Sequence, residues 1–365
     1  MKKALFILIL IFLIATITGC NGNNTGSIEE VLIEEDEEES GIKELNDEEI
    51  ENAEKEEIDL YDIKPNENGQ IMIIMYHGIS KEESEWVRTI DNFKKDLKSL
   101  YDNGYRLLNL SDYVNNNIST EAGFTPVVLT FDDGLQNQFN YVDENGVKVI
   151  DPDCAVGILE EFCKNHPDFG KGASFFVYYP VPFRQSDFIY DKFKFLIENG
   201  YEIGNHGYNH ENLGKISIDK VQESLAKNAQ KTYDILSGYT VQTLALPYGA
   251  APKGNNYKYV IKGEYNGFSY NNKAVLKVGS NPAFAPNHIK FDSERLPRVR
   301  GSEILVNGTG MYDYIEYFKK NPEKRYISDG NKDTVTIPES ELPNFNMDSI
   351  GEKNLITYLP DKSAD

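Results

Sequence analysis

The sequence is poor in the residues that cross-link a fold or bind polyanions. Three of its 365 residues are cysteine, and 37 lysines and arginines face 59 aspartates and glutamates, which gives a net charge of −22. If residues 153–165 form the helix that their pattern indicates, Cys154 and Cys163 lie about 13 Å apart on opposite faces, too far for a disulfide. Both are therefore expected to be free packing residues. The excess of negative charge argues against nucleic acid as a partner.

The negative charge is concentrated near the start of the chain. Between Glu29 and Asp59 there are 17 acidic residues and two lysines. Such a block repels itself and cannot bury a core, so residues 20–60 are predicted to form a disordered tether with a reach of roughly 30 Å. An acidic binding tail is the functional alternative.

Residues 1–19 have the pattern of an export signal. A charged start precedes an apolar run from Ala4 to Thr16, which is typical of a cleaved signal peptide rather than of a transmembrane helix. The small residues before Cys20 resemble a bacterial lipobox. This resemblance implies cleavage before Cys20, lipidation of its thiol, and an extracytoplasmic protein anchored in the cell membrane. An uncleaved segment would also hold the protein at the membrane.

Two short strings carry the candidate chemistry, and each follows a predicted strand. Asp132 and Asp133 end the apolar run at residues 126–131, while His206 and His210 follow a strand signal at residues 201–205. Sites in α/β folds are built at such strand ends. Two imidazoles and one carboxylate can hold a divalent metal and leave coordination positions open. Because adjacent residues of a strand point to opposite faces, one aspartate should bind the metal and the other act as general base.

Each string also has an ordinary structural interpretation. Asp-Asp-Gly after a strand is common turn chemistry, and two histidines four residues apart can simply be solvated. Their conjunction in a chain with only five histidines favours a metal site. Non-haem iron oxygenases use the same donor set. Those enzymes tend to have all-β scaffolds, whereas this chain alternates strand and helix signals.

These motifs resemble those of the polysaccharide deacetylases of carbohydrate esterase family 4, which share the NodB-homology domain. Leu246-Pro247-Tyr248-Gly249 is similar to the family's Pro-Tyr-Gly motif, and the resemblance spans about residues 70 to 300. It implies an α/β fold, an irregular (β/α)7 barrel. It further implies Asp132 as catalytic base and a Tyr248 N–H that binds the oxyanion. The implied ligands of one divalent metal, zinc before cobalt, nickel or iron, are Asp133, His206 and His210.

The sequence also departs from the family's pattern. Gly207 stands where a serine or threonine is usual, and the arginine upstream of Pro-Tyr-Gly is absent, as are the tryptophan-bearing motif and the late Leu-x-His. Residues 71–79 resemble instead the first strand of the poly-N-acetylglucosamine deacetylase branch, which makes His77 the candidate general acid. The alternative is that His77 bonds only to the backbone. In that case His288 or a water molecule would be the acid. Arg298 is the candidate for orienting Asp132, with a structural arginine as the alternative.

The remaining pattern predicts one catalytic domain at residues 61–325. Helix signals at residues 91–101 alternate with strand signals at 105–108, 173–178 and 243–246. An insertion at residues 137–152 predicts a hairpin around Asn145-Gly146, which either shapes the substrate groove or is a plain surface excursion. Residues 326–365 are expected to form a strap along the barrel or to be partly disordered.

Together these features predict a metal-dependent hydrolase. Its substrate would be a cell-surface or extracellular polysaccharide that contains N-acetylglucosamine, its reaction the removal of N-acetyl groups, and its working form a monomer. An O-acetyl esterase acting on a xylan-type polymer would use the same residues. A carbohydrate-binding surface lipoprotein without turnover is the alternative from another class.

Overall fold

The computed structural model describes residues 59–360. The strands are β1 (Gln70–Tyr76), β2 (Gly78–Ser80), β3 (Val87–Thr89), β4 (Tyr105–Leu107), β5 (Thr125–Phe131), β6 (Tyr141–Glu144), β7 (Val147–Ile150), β8 (Ser174–Val177), β9 (Glu202–Asn205), β10 (Thr243–Ala245), β11 (Lys262–Tyr265), β12 (Phe268–Asn271), β13 (Ala274–Leu276), β14 (Ala283–Phe284), β15 (Val299–Arg300), β16 (Thr334–Pro338) and β17 (Asn354–Tyr358). The helices are α1 (Leu60–Ile63), α2 (Ile90–Asp102), α3 (Leu110–Val114), α4 (Ala155–Asn165), α5 (Ile189–Glu198), α6 (Ile218–Ile235), α7 (Lys258–Ile261) and α8 (Met311–Lys320).

The central sheet is a curled parallel sheet. Its order is β13, β10, β9, β8, β5, β1, with β15 parallel to β1 on the other side. The residues just before β15 also bond to β13, since the Leu296 N–H donates to Val275 O at 3.0 Å and the Lys277 N–H donates to Leu296 O at 2.9 Å. Seven parallel strands therefore close on each other, and the predicted irregular (β/α)7 barrel is confirmed.

The two strands at the centre of the sheet, β1 and β5, are strongly apolar. β5 is buried along its whole length and β1 along all but its first residue, because a parallel sheet is covered on both faces. α2 packs against this region through Phe93, Leu97 and Leu100. It begins after Thr89, whose side chain accepts the Asn92 N–H. The strands and the helix predicted at these positions are confirmed to within a few residues.

The predicted hairpin is formed by β6 and β7. Its two central residues, Asn145 and Gly146, have φ of 57° and 83°, the left-handed conformation that a tight two-residue hairpin requires. The Gln185 side chain bonds both the N–H and the carbonyl of Tyr141 at 2.9 Å. The hairpin is thereby fixed to the loop that follows β8.

The two cysteines form no disulfide, as predicted, while the start of helix α4 differs from the prediction. Cys154 and Cys163 are free. Cys154 caps the start of α4 rather than lying inside the helix, since it is the residue before Ala155 and its sulfur accepts the Gly157 N–H.

The chain beyond the barrel returns to its beginning. β16 and β17 form a parallel pair, and the Thr336 N–H donates to Glu67 Oε2 at 2.8 Å. The Tyr358 hydroxyl donates to Pro65 O at 3.0 Å. Within residues 59–360, no helix has both the length and the apolar character that crossing a membrane requires. The predicted signal, the tether up to residue 58 and the lipidated Cys20 lie outside the described residues.

Candidate active site

The structure brings together the three predicted metal ligands. Asp133 Oδ1 lies 3.4 Å from His206 Nε2 and 3.2 Å from His210 Nε2, and one ligand atom from each residue lies within 4.8 Å of the others. His206 Nδ1 is 2.8 Å from Ala245 O. Because a carbonyl only accepts, Nδ1 donates to it, and the ring in its neutral form can bind a metal through Nε2.

This cluster fits a divalent metal. Asp133 Oδ1 is buried and has no hydrogen-bond partner among residues 59–360, although two imidazole nitrogens lie close to it. Burial opposes ionisation of Asp133, but the contacts with His206 and His210 outweigh it and lower the pKa of this carboxyl below its usual range. An ionised carboxylate and two imidazoles suit zinc and its transition-metal neighbours.

The two adjacent aspartates separate at the end of β5. The Asp132 N–H still donates to Tyr76 O of β1 at 3.0 Å, so Asp132 continues the strand. Asp133 leaves it with φ of 80°, followed by Gly134 at 53°. The left-handed turn at Asp133, and not the pleat alone, therefore places the two carboxylates in different surroundings.

Arg298 holds the second carboxylate. Its Nη1 and Nη2 donate to Asp132 Oδ1 and Oδ2, both at 2.7 Å, and its Nε donates to Lys277 O at 3.0 Å. Arg298 and Asp132 are both buried. Burial raises the pKa of Asp132, but the Arg298 guanidinium more than offsets it, so that the pKa is lowered. Asp132 is an ionised and oriented carboxylate beside the three candidate ligands.

His77 follows β1 and lies on the same end of the barrel. Its ring is 4.9 Å from the Trp86 ring, and no residue from 59 to 360 hydrogen-bonds either ring nitrogen. The structure thus gives no support to a His77 bonded only to backbone. Burial lowers the pKa of His77, against the pull of Asp132 and Asp133.

His288 is at the other end of the barrel. It follows β14, which pairs with the first residues of β1, and its ring stacks on Phe284 at 4.2 Å. His288 Nδ1 accepts the Lys290 N–H at 2.9 Å. The structure does not bring His288 to the aspartates, so it is not a candidate acid at this site.

Tyr248 borders the cluster from the Pro247–Gly249 turn. Its ring is 4.6 Å from the His210 ring and it is 66% exposed. Tyr248 has φ of 59° and Gly249 of 62°, and a Cβ on Gly249 would come within 3.0 Å of Val278. The glycine is therefore required for the turn that positions Tyr248.

The residues that hold the histidine loop were not among the sequence predictions. A Cβ on Gly207 would lie 3.3 Å from Ser224 Oγ and from Glu211 Oε2. Ser224 Oγ accepts the Tyr208 N–H at 2.8 Å and donates to Glu211 at 2.6 Å, while Asn228 donates to Gly207 O at 2.7 Å. The Ser224 hydroxyl, on α6, thus hydrogen-bonds the loop. In the family's motif the serine or threonine that is usual at the Gly207 position would supply this hydroxyl. The available signal was two polar residues, one turn apart, on the buried face of α6.

The fold and the cluster define a class, namely a parallel α/β barrel with a candidate metal centre at its carboxyl end. The family model described as polysaccharide deacetylase matches residues 172–262, which contain both histidines and the Pro247–Gly249 turn. Over residues 172–262 this match bears out the resemblance to polysaccharide deacetylases that the motifs predict.

The chain is also similar to several solved structures, which include deacetylases. The Streptococcus pyogenes deacetylase PplD in complex with acetate is 19% identical, covers 68% of this chain and 98% of its own, and has a TM-score of 0.49. A polysaccharide deacetylase from Bacillus cereus is 18% identical, covers 68% of this chain and 69% of its own, and has a TM-score of 0.49. IcaB from Ammonifex degensii is 17% identical, covers 66% of this chain and 94% of its own, and has a TM-score of 0.45. No curated protein matches the chain.

Proposed function

We propose that the protein is a metal-dependent N-deacetylase that acts on a polysaccharide containing N-acetylglucosamine. The observation that carries this proposal is the pairing of two carboxylates in different surroundings. Asp133 converges with His206 and His210, while Asp132 is fixed by Arg298. The family match supports deacetylation, and the donor set supports dependence on a metal.

The residues divide the reaction between them. A divalent metal bound by Asp133, His206 and His210 would polarise the acetyl carbonyl and lower the pKa of a water molecule. Asp132 removes a proton as the water attacks, and the Arg298 contacts keep its carboxylate ionised and oriented. The backbone N–H of Tyr248 donates to the oxygen that becomes negative. His77, on the same end of the barrel, donates a proton to the departing amine.

Acetate release tests this proposal directly. The substrates are chitooligosaccharides, poly-N-acetylglucosamine, peptidoglycan and acetylated xylan, each with and without a chelator. We expect release from at least one N-acetylated polymer, loss of release with the chelator, and recovery when zinc is restored. Release from acetylated xylan alone would make the protein an O-acetyl esterase. No release from any substrate, with no metal bound, would favour the carbohydrate-binding lipoprotein.

We also propose that the catalytic domain works outside the cytoplasm as a monomer on a lipid anchor. The export pattern of residues 1–19 and the acidic composition up to Asp59 support this location. The tether would let the barrel reach polymer away from the membrane surface. Lipid labelling and signal cleavage, compared between the protein and its Cys20→Ser variant, test the anchor, because the variant should lose both.

A further inference from the structure

Trp86 is the chain's one tryptophan, and it lies beside the candidate acid. Its ring centre is 4.9 Å from that of His77, and both residues line one crevice. Trp86 is 41% exposed, and His77 is partly exposed as well. A polymer that reaches His77 therefore meets the open part of the indole ring next to it.

Trp86 is held in place before any ligand arrives. The Gly78 N–H donates to Trp86 O at 3.1 Å. Two residues further on, the buried Arg88 donates to both carboxylate oxygens of Asp96 at 2.7 and 2.8 Å, which fixes β3 to α2. The Arg300 guanidinium lies over the indole, 5.1 Å from the ring centre. A ring that is already fixed loses little conformational entropy when a ligand packs on it.

Polar groups stand at the edge of this ring. Arg300 Nη1 lies 3.3 Å from Glu85 Oε1, and the Glu85 side chain is 43% exposed. The crevice that Trp86 and His77 line measures only about 10 Å³, which is room for about one water molecule. A sugar would therefore lie across the exposed part of the indole, beside the Glu85 carboxylate, rather than enter the crevice.

The reaction itself brings a sugar ring to this place. If His77 donates a proton to the departing amine, the amine nitrogen must come within about 3 Å of the imidazole. That nitrogen is bonded directly to the pyranose ring of the sugar. The ring therefore lies against His77 and within reach of Trp86, which touches His77.

The geometry points to Trp86 as a specificity-determining residue that binds the sugar whose acetyl group is removed. The indole packs on the C–H face of the pyranose ring, and the Glu85 carboxylate accepts a hydrogen bond from a hydroxyl at the edge of that ring. Trp86 thus favours an amide carried on a sugar over an amide that lacks one. This inference rests on the proposed function for the role of His77 and for the reacting amide.

Tryptophan fluorescence tests the contact directly, because the signal comes from Trp86 alone. Chitotetraose added to the zinc-loaded Asp132→Asn protein should change this fluorescence in a saturable way. It should also protect the fluorescence from quenching by acrylamide, since the sugar covers the exposed part of the ring. Acetate, which has no sugar ring, should do neither.

Variants test what the contact contributes. In the Asp132→Asn background, Trp86→Ala should weaken calorimetric binding of chitotetraose about ten-fold, and Trp86→Phe should restore most of it because it keeps a ring. In the active protein the loss caused by Trp86→Ala should lie in KM rather than in kcat. The control is Tyr190→Ala, which removes an exposed tyrosine that does not line the crevice and should change neither quantity.

Two outcomes would overturn the inference. Fluorescence and acrylamide quenching that do not respond to chitotetraose would show that the sugar does not touch Trp86, and this result needs no variant at position 86. A fall in kcat with an unchanged KM in Trp86→Ala would show that the ring only supports His77. Acetate release with a silent tryptophan would contradict this inference alone, whereas a responding tryptophan without acetate release would contradict the proposed function alone.

Discussion

Asp132 and Asp133 are neighbours in the sequence, but different groups surround their carboxylates. Asp132 accepts two hydrogen bonds from a buried arginine 166 residues further along the chain. Asp133 faces two imidazole nitrogens instead. The guanidinium orients the Asp132 carboxylate, which suits a general base. The two histidines place the Asp133 carboxylate where all three residues can bind one metal. The surroundings therefore give the two aspartates different roles.

Ser224 should control metal affinity although it is not a ligand. Ser224→Ala removes the acceptor of the Tyr208 N–H and the donor to Glu211, which loosens the loop between His206 and His210. We expect zinc affinity to fall about 10–100-fold, as measured by competition with a chromophoric chelator. The exposed change Ser186→Ala serves as the control. Unchanged zinc affinity in Ser224→Ala would show that the loop does not need this hydroxyl.

His77 should matter for the leaving group and not for the metal. If His77 protonates the departing amine, His77→Ala should lower kcat by about 10²–10⁴-fold on an N-acetylated sugar, with zinc content unchanged. The loss should be much smaller on an activated aryl acetate, because that leaving group needs little protonation. Equal losses on both substrates would mean that His77 acts only structurally.

At the scale of elements, the strand ends were predictable and the contacts between distant elements were not. The apolar runs that became β1 and β5 stop at His77 and Asp132, so local pattern placed these residues at one end of a sheet. The contact between Arg298 and Asp132 depends on closure of the barrel by β15. The bonding of the histidine loop by Ser224 depends on how α6 packs. The sequence therefore offered Arg298 only as a candidate and Ser224 only as a polar residue on the buried face of α6.

α5 carries a buried lysine that should make stability depend on pH. Lys192 Nζ donates to Phe139 O at 2.7 Å and to Phe183 O at 3.1 Å, which ties α5 to two loops near the candidate site. Two acceptors satisfy the two N–H bonds of a neutral amine, and burial lowers the pKa of Lys192 to about 7.

The sign of the effect follows from proton binding. Above about pH 7 the unfolded chain keeps a proton on Lys192 that the folded chain has lost, so the free energy of unfolding rises with pH, up to the ordinary lysine pKa of about 10.4. We expect a rise of up to about 1.4 kcal/mol per pH unit relative to Lys192→Met. Urea unfolding of both proteins at about pH 7, 8 and 9 measures it. Parallel curves would show that Lys192 stays charged in the fold.

At the scale of the whole molecule, the acidic segment should be separable from the barrel. The described elements begin at Leu60, and Asp59 caps the first helix. A protein that starts at Asp59 should therefore be soluble and should keep full activity on small substrates. It should not be held at the membrane, whereas Cys20→Ser in the full chain should block both lipid attachment and signal cleavage. Loss of activity on chitooligosaccharides after truncation would show that the acidic segment contributes to the site.

Metal content and acetate release, measured side by side on two variants, test the division of roles at the centre of this account. Asp132→Asn should keep about one metal per chain and release no acetate, because it retains all three ligands and loses the base. Asp133→Ala should lose both the metal and the activity. Loss of metal in Asp132→Asn, together with retention of metal in Asp133→Asn, would contradict the account and reverse the two assignments.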